Sequence, residues 1–116
     1  MNQSLSIANS GLQAQQSRVH AAAHNIANLT TDDFRPQQVA LSSREGGGVR
    51  AEVSSAPNSG PPRFDPQSGE LLGNFSGTDL PTEALTLISA RRAYGANLAL
   101  LRTELERGQE LMRILE

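Results

Sequence analysis

The chain has 116 residues, enough for one small domain with a modest core and little room for a substrate cleft beside it. Apolar residues make up 37%, with three Phe, one Tyr and no Trp, so Leu and Ala must do the packing. The net charge of -2, with the Arg scattered, gives no basic stripe for nucleic acid, and the lack of Cys and Lys excludes disulfides, thiolate metal sites, a Walker A lysine and a Schiff base.

The opening "MNQSLSIANSGLQAQQSR" has neither a cationic start nor a long apolar run, so no ordinary secretory signal is expected. No apolar run approaches the roughly 18 residues that span a bilayer, so no direct membrane insertion is expected. From residue 5 to 29, Leu5, Ala8, Leu12, Gln15, Val19, Ala22, Ile26 and Leu29 recur at steps of three and four, a heptad stripe broken only by Gln15. A helix over this span is a rod of roughly 40 Å. Its small residues, Ala21 to Ala23 and Ala27, let a neighbour approach closely, and Gly11 reads as a local weakness of about 1 kcal/mol against Ala.

The stretch "HNIANLTTDDFRP" then ends the helix with asparagines, threonines and acids instead of a simple glycine stop. Asn25 and Asn28 can satisfy helix-end carbonyls, Thr30, Thr31 and Asp32 can re-cap the turning chain, and Phe34 can anchor the turn against the helices. "QQVALSSREGGGVRAEVSS" predicts two short strands around "REGGG", with Val39 and Leu41 facing one way and Val49, Ala51 and Val53 opposite them. "APNSGPPRFDPQSGELLGNFSGTD" predicts extended or irregular chain with turns at Pro and Gly.

A second long helix is predicted from "TDLPTEAL" to the end, with Asp79 capping exposed amides and Pro81 in the first turn. Its stripe runs through Leu80, Ala84, Leu87, Arg91, Tyr94, Leu98, Leu101, Leu105, Gly108, Met112 and Leu115. Leu85, Ile88, Leu100, Leu111 and Ile114 widen it beyond a two-stranded seam, so this helix is expected to meet more than one neighbour. An ordinary helical hairpin burying its own core is the plainer alternative for the first helix.

Catalytic chemistry is thin. His20 and His24 share a helix face at zinc-ligand spacing, but no Glu lies between them and no further His or Cys can complete a site, so solvent-facing or capping histidines are expected. Asp32 and Asp33 are adjacent and suit a turn, Gly46 to Gly48 suit a hairpin, and no serine stands in a nucleophile elbow. Neither an enzyme nor a cofactor is expected.

"SLSIANSGLQAQQSRVHAAAHNIANLTTDDFRP" resembles the N-terminal signature of flagellar basal-body rod and hook proteins, whose first helix ends in an Ala-Asn-x-x-Thr-x-Gly-Phe corner. The matching residues are Ala27, Asn28, Thr31 and Phe34, with Asn25 and Ile26 before them and Arg35 after. "TDLPTEALTLISARRAYGANLALLRT" is similar to the C-terminal segment of that family, through Asp79, Glu83, Ile88, Ser89, Arg92, Ala93, Tyr94, Ala96 and Asn97. The middle resembles the connector of the short proximal-rod members, which lack a large outer domain. Two residues depart from the pattern: Asp33 stands at the usual Gly, where Asp tolerates a left-handed backbone, and Gly95 stands where a larger residue is common.

The fold this implies is mainly α: two long terminal helices in a coiled-coil-like pair, residues 1–35 and 79–116, joined by a β-hairpin and loop over 36–78. The function it implies is a structural rod subunit at the flagellar basal body. Export from the cytoplasm would run through the flagellar type III apparatus, with assembly on copies of itself and on other rod subunits, as homo- and hetero-oligomer. The residues expected to carry packing and assembly are Leu5, Leu12, Val19, Ile26, Leu87, Ile88, Tyr94, Asn97, Leu98, Leu101, Leu105 and Met112. A soluble helical accessory or chaperone-like protein that binds axial subunits is the alternative.

Overall fold

A computed structural model describes residues 2–116, in the order helix, hairpin, hairpin, helix. Helix α1 spans Asn2–Ala27 and helix α2 spans Leu80–Leu115. Between them lie β1 (Gln37–Ser43), β2 (Val49–Ser55), β3 (Pro62–Phe64) and β4 (Leu71–Asn74), paired as two separate antiparallel hairpins. The two long helices lie against one another, and the β1–β2 hairpin lies along α1. This leaves a molecule of 81 × 24 × 15 Å with a radius of gyration of 20.5 Å. A globular chain of this length would have a radius nearer 13 Å, so most of this fold is surface.

What is buried is correspondingly small. The apolar core consists of Ala8, Ala14, Ala21, Ala22, Ala56 and Ala90, joined by the buried polar residues Ser10, Gln15, Asn25 and Glu104. Along α2 the residues turned inward include Ala90 and Glu104, with Glu83 and Asn97 partly covered, so every seventh position from 83 to 104 faces the pair. Small side chains on both helices allow close approach, and that is how the pair forms without leucines at its centre.

This corrects the contact line that the stripes suggest. Ala8, Gln15 and Ala22 are buried, whereas Leu5, Leu12, Val19 and Ile26 are only half-buried and flank the seam. On α2, Leu87, Leu98, Leu101 and Gly108 are half-buried, and Leu80, Ala84, Arg91, Tyr94, Leu105, Met112 and Leu115 are exposed. Leu85, Ile88, Leu100, Leu111 and Ile114 are exposed too, so the broad apolar face of α2 is left uncovered by the described residues.

The first hairpin has the expected pairing: Val39 faces Val53, Leu41 faces Ala51 and Ser43 faces Val49, a one-sided apolar ladder. Gly46, Gly47 and Gly48 all have positive φ in its turn. Gly48 sits so tightly on Ser10 that a Cβ there would collide with the Ser10 hydroxyl, while Ser10 Oγ accepts the Val49 amide at 3.1 Å. The tip is thus tied to the first third of α1.

Two expectations need correction. Residues 57–78 are not simply irregular: β3 and β4 pair there, with an irregularity in register between Arg63 and Phe64. Their turn is closed by Asp65, whose amide donates to the Glu70 carbonyl at 2.8 Å. The Gln67 amide and then the Ser68 hydroxyl donate to the Asp65 carboxylate and hold its pKa below the ordinary value. Asp79 is the N-cap residue of α2 by position, but its side chain caps no backbone amide and instead accepts the Thr82 hydroxyl. Pro81 does lie in the first turn, where its missing amide costs nothing.

Candidate functional site

The corner after α1 is where the chain segments converge, and Asn25 is its centre. Only 1% of its surface is exposed. Its Nδ2 donates to the Gln37 carbonyl at 2.9 Å and to Glu83 Oε1 at 2.9 Å, while Oδ1 accepts the Gln37 amide at 2.7 Å. The Asn25 carbonyl accepts the Thr78 hydroxyl at 3.0 Å. One amide side chain therefore joins the end of α1, the start of β1 and the first turn of α2. An unpaired polar group so deeply buried would be costly, so the packing depends on all three partners.

Asn28 closes the helix itself. Its Nδ2 donates to the His24 carbonyl at 2.9 Å, beside the Asn28 amide that donates to the same carbonyl at 3.2 Å, and its Oδ1 accepts the Thr31 hydroxyl at 3.1 Å. Ile26 is half-buried, while Ala27, Thr30, Thr31 and Arg35 are exposed on the outside of the turn. Phe34 is half-buried and meets the His24 ring edge-on, with centroids 5.5 Å apart. Its carbonyl accepts the Gly77 amide at 3.0 Å, which ties the corner to the chain entering α2. His20 and His24 are both exposed, and among the described residues no cluster of His, Cys, Asp or Glu could hold a metal ion.

Asp33 takes the left-handed conformation, with φ of 59°. The side chain compensates for the strain: its Oδ1 accepts the Asn74 amide at 2.8 Å while the Asp33 amide donates to the Asn74 carbonyl at 2.8 Å. Beside it, Asp32 pairs with Arg63 at 2.7 Å, and Arg63 lies over the Phe75 ring at 5.9 Å. These contacts dock the second hairpin on the corner. The two that reach the corner, Asp32 to Arg63 and Asp33 to Asn74, were invisible in the sequence because they join residues more than thirty positions apart.

Sequence reasoning also missed the partners inside the helical seam. A Cβ at Gly11 would come within 2.5 Å of Asn97 Oδ1, so the glycine is a seat for that amide as well as a helix weakness. Asn97 Nδ2 donates to the Ala93 carbonyl at 2.8 Å, which fixes the side chain's direction. The regular spacing of Glu83, Ala90, Asn97 and Glu104 by seven was the available signal. It went unnoticed because polar and small residues do not register as a stripe.

Since Gly11 lies against Asn97 and Asn25 against Glu83, the helices run antiparallel and α2 passes beyond the start of α1. Among the described residues, no helix lies beside roughly its last nine residues, about 14 Å. Leu111, Met112, Ile114 and Leu115 are between 51% and 82% exposed there. The arrangement offers two lines of uncovered apolar side chains on a thin rod.

Residues 5–35 match the family described as "Flagella basal body rod protein". The chain is also 35% identical to the "Flagellar basal-body rod protein FlgC" of Yersinia enterocolitica, over an alignment of 115 residues that covers 84% of each chain. The chain belongs to the flagellar basal-body rod protein family. This is a family of structural proteins, not of enzymes, and its members are components of the flagellar basal body. The matched segment of this rod-family chain is α1 plus the corner through Arg35, the part in which Asn25, Asn28 and Asp33 make the bonds described above. No helix among its described residues is long and apolar enough to cross a membrane.

Proposed function

We propose that this chain assembles through its terminal helices, with copies of itself and with other rod subunits, into the axial shaft that passes torque from motor to hook. The observation that carries this reading is the inversion of the helical pair: its small and polar residues are inside, and its larger apolar residues face out. Leu5, Leu12, Val19 and Ile26 on α1 supply one edge of the contact surface. Leu87, Ile88, Tyr94, Leu98, Leu101, Leu105 and Met112 on α2 supply the other. Contiguous apolar surface of this kind marks an interaction face, and head-to-tail contacts that do not close into a ring build filaments. The corner residues Asn25, Ile26, Ala27, Asn28, Thr31, Phe34 and Arg35 set how the two helices are presented, and Asn97 acts within the seam. The chain reaches the basal body from the cytoplasm by the flagellar type III apparatus.

The test is to place a charge on that face, as Leu98→Glu or Leu101→Glu, in the source organism. Export is expected to be normal, with the variant missing from purified hook and basal-body complexes by mass spectrometry and the cells non-motile. Normal motility with the variant present in the complexes overturns the proposal. If the unaltered chain is itself absent from intact complexes, a soluble accessory protein is the better description.

A further inference from the structure

The second hairpin stands apart from the helical pair. Among the described residues neither β3 nor β4 lies against either helix. The first hairpin runs back along α1 with its tip at Ser10, and the 36 residues of α2 account for about 54 Å of the molecule's 81 Å length. The remaining length, roughly 25 Å, is the corner and the second hairpin beyond it. One end of the molecule is therefore the β3–β4 hairpin, and the other is the projecting end of α2.

The two faces of this hairpin differ. Arg63 and Gly73 pair across the strands and face the corner: Arg63 meets Asp32 at 2.7 Å, and a Cβ on Gly73 would come within 3.0 Å of Asp33 Oδ2. Successive side chains of a strand alternate, so Phe64 and Leu72 point the other way, out from the corner. Leu71 joins them, because Phe64 pairs with Leu71 and leaves Leu72 as an extra residue, which sets two leucines against one phenylalanine. Phe64, Leu71 and Leu72 are 55%, 59% and 48% exposed. A hairpin this short is marginal alone, yet its base is fixed. Asp33 and Asn74 exchange two hydrogen bonds of 2.8 Å, and the backbone of Phe75 bonds to Gly60 at 2.8 Å and to Pro61 at 2.9 Å. The hairpin is a fixed mount for three apolar side chains that serve no core in this chain.

We propose that this outward face receives the apolar α2 end of the next rod subunit in line, a helix end of the kind this chain presents through Leu111, Met112, Ile114 and Leu115. The contact presupposes the rod assembly proposed above and is one of its joints. The chain's own α2 end cannot be the occupant, since it lies at the opposite end of an 81 Å molecule. Area argues against a partner from outside the assembly. Three half-exposed side chains offer a few hundred Å² at most, whereas a specific pair that stands alone buries about 800 Å² on each partner. The occupant must be held by other contacts as well, as a neighbouring subunit is. Apolar patches at opposite ends of a thin molecule suit such a neighbour, because the contact repeats head to tail without closing into a ring.

The test places the photo-crosslinker p-benzoylphenylalanine at Phe64 or at Leu72 of the full chain in the source organism, and illuminates purified hook and basal-body complexes. Mass spectrometry is expected to find the adduct on the last two turns of α2 of a rod-family subunit. Its yield should be at least about tenfold above that from the exposed Ser54 on the polar face of the first hairpin. Should either replacement keep the chain out of the complexes, Gln67 in the exposed turn carries the crosslinker with the apolar face intact. Complexes that contain the chain but give no adduct, or give it on another segment or on a protein outside the rod, overturn this contact and leave the rod assembly standing. A native chain absent from the complexes overturns the rod assembly itself, and this contact with it.

Discussion

The corner at Asn25 and the projecting end of α2 lie at opposite ends of the same helical pair, and they are built on opposite principles. At the corner a polar side chain is buried to 1% exposure and each of its hydrogen-bonding groups has a partner from this chain. At the far end Ile114 and Leu115 are 76% and 82% exposed, with no partner among the described residues. One end is complete by itself, and the other has apolar surface left over. Under the proposed assembly, the first end supplies stability and the second supplies contact surface.

The comparison can be broken most directly at the corner. Asn25→Leu keeps the volume and removes all three side-chain hydrogen bonds, leaving the Gln37 amide and the Glu83 carboxylate without their partner. The expected loss is about 3 kcal/mol or more, measured by urea titration of the helical signal. A loss below about 1 kcal/mol would mean that water replaces the amide and that the corner is not closed. Asp33 gives a finer test of the same end. Asp33→Ala keeps the left-handed strain and discards the bond to Asn74, for an expected loss of about 1–2 kcal/mol. Asp33→Gly discards the same bond but relieves the strain, so it should lie within about 1 kcal/mol of the native chain. If the two variants melt alike, backbone strain is not what the carboxylate offsets.

Smaller effects are expected further out. Asp32→Asn weakens a pair with Arg63 whose side chains are 38% and 42% exposed, so the loss should be under about 1 kcal/mol and shrink further in high salt. Smallest of all should be Leu111→Glu with Ile114→Glu at the projecting end. Stability of the isolated chain should change by less than about 0.5 kcal/mol, since nothing covers these residues, while incorporation into basal bodies is lost. A large drop in stability instead would show that the end of α2 already packs within the chain.

Much of the corner was legible because local chemistry determined it. Asn28 caps the helix it ends, and Asp33 takes the left-handed turn where a glycine is usual. The hairpin over 37–55 was equally plain, since alternating apolar residues around three glycines leave few other pairings. The second hairpin was not, because its strands are three and four residues long and are held by Asp32, Asp33 and the chain near Phe75, contacts without a local pattern. Asp79 misled for a related reason: its position is that of a cap, but the Thr82 hydroxyl takes its carboxylate.

The sequence by itself determined that there are two long helices, where they begin and end to within a few residues, and that their apolar residues exceed what one pairing can hide. Those properties follow from periodicity and composition, which act over neighbouring residues. Only the tertiary structure decided which face of each helix turns inward. That choice rested on close approach: alanines, Gly11 and the amides of Asn25 and Asn97 let the two backbones come together, and the leucines were left at the edges and outside. Packing between distant segments decided it, and no single helix's stripe contains that information.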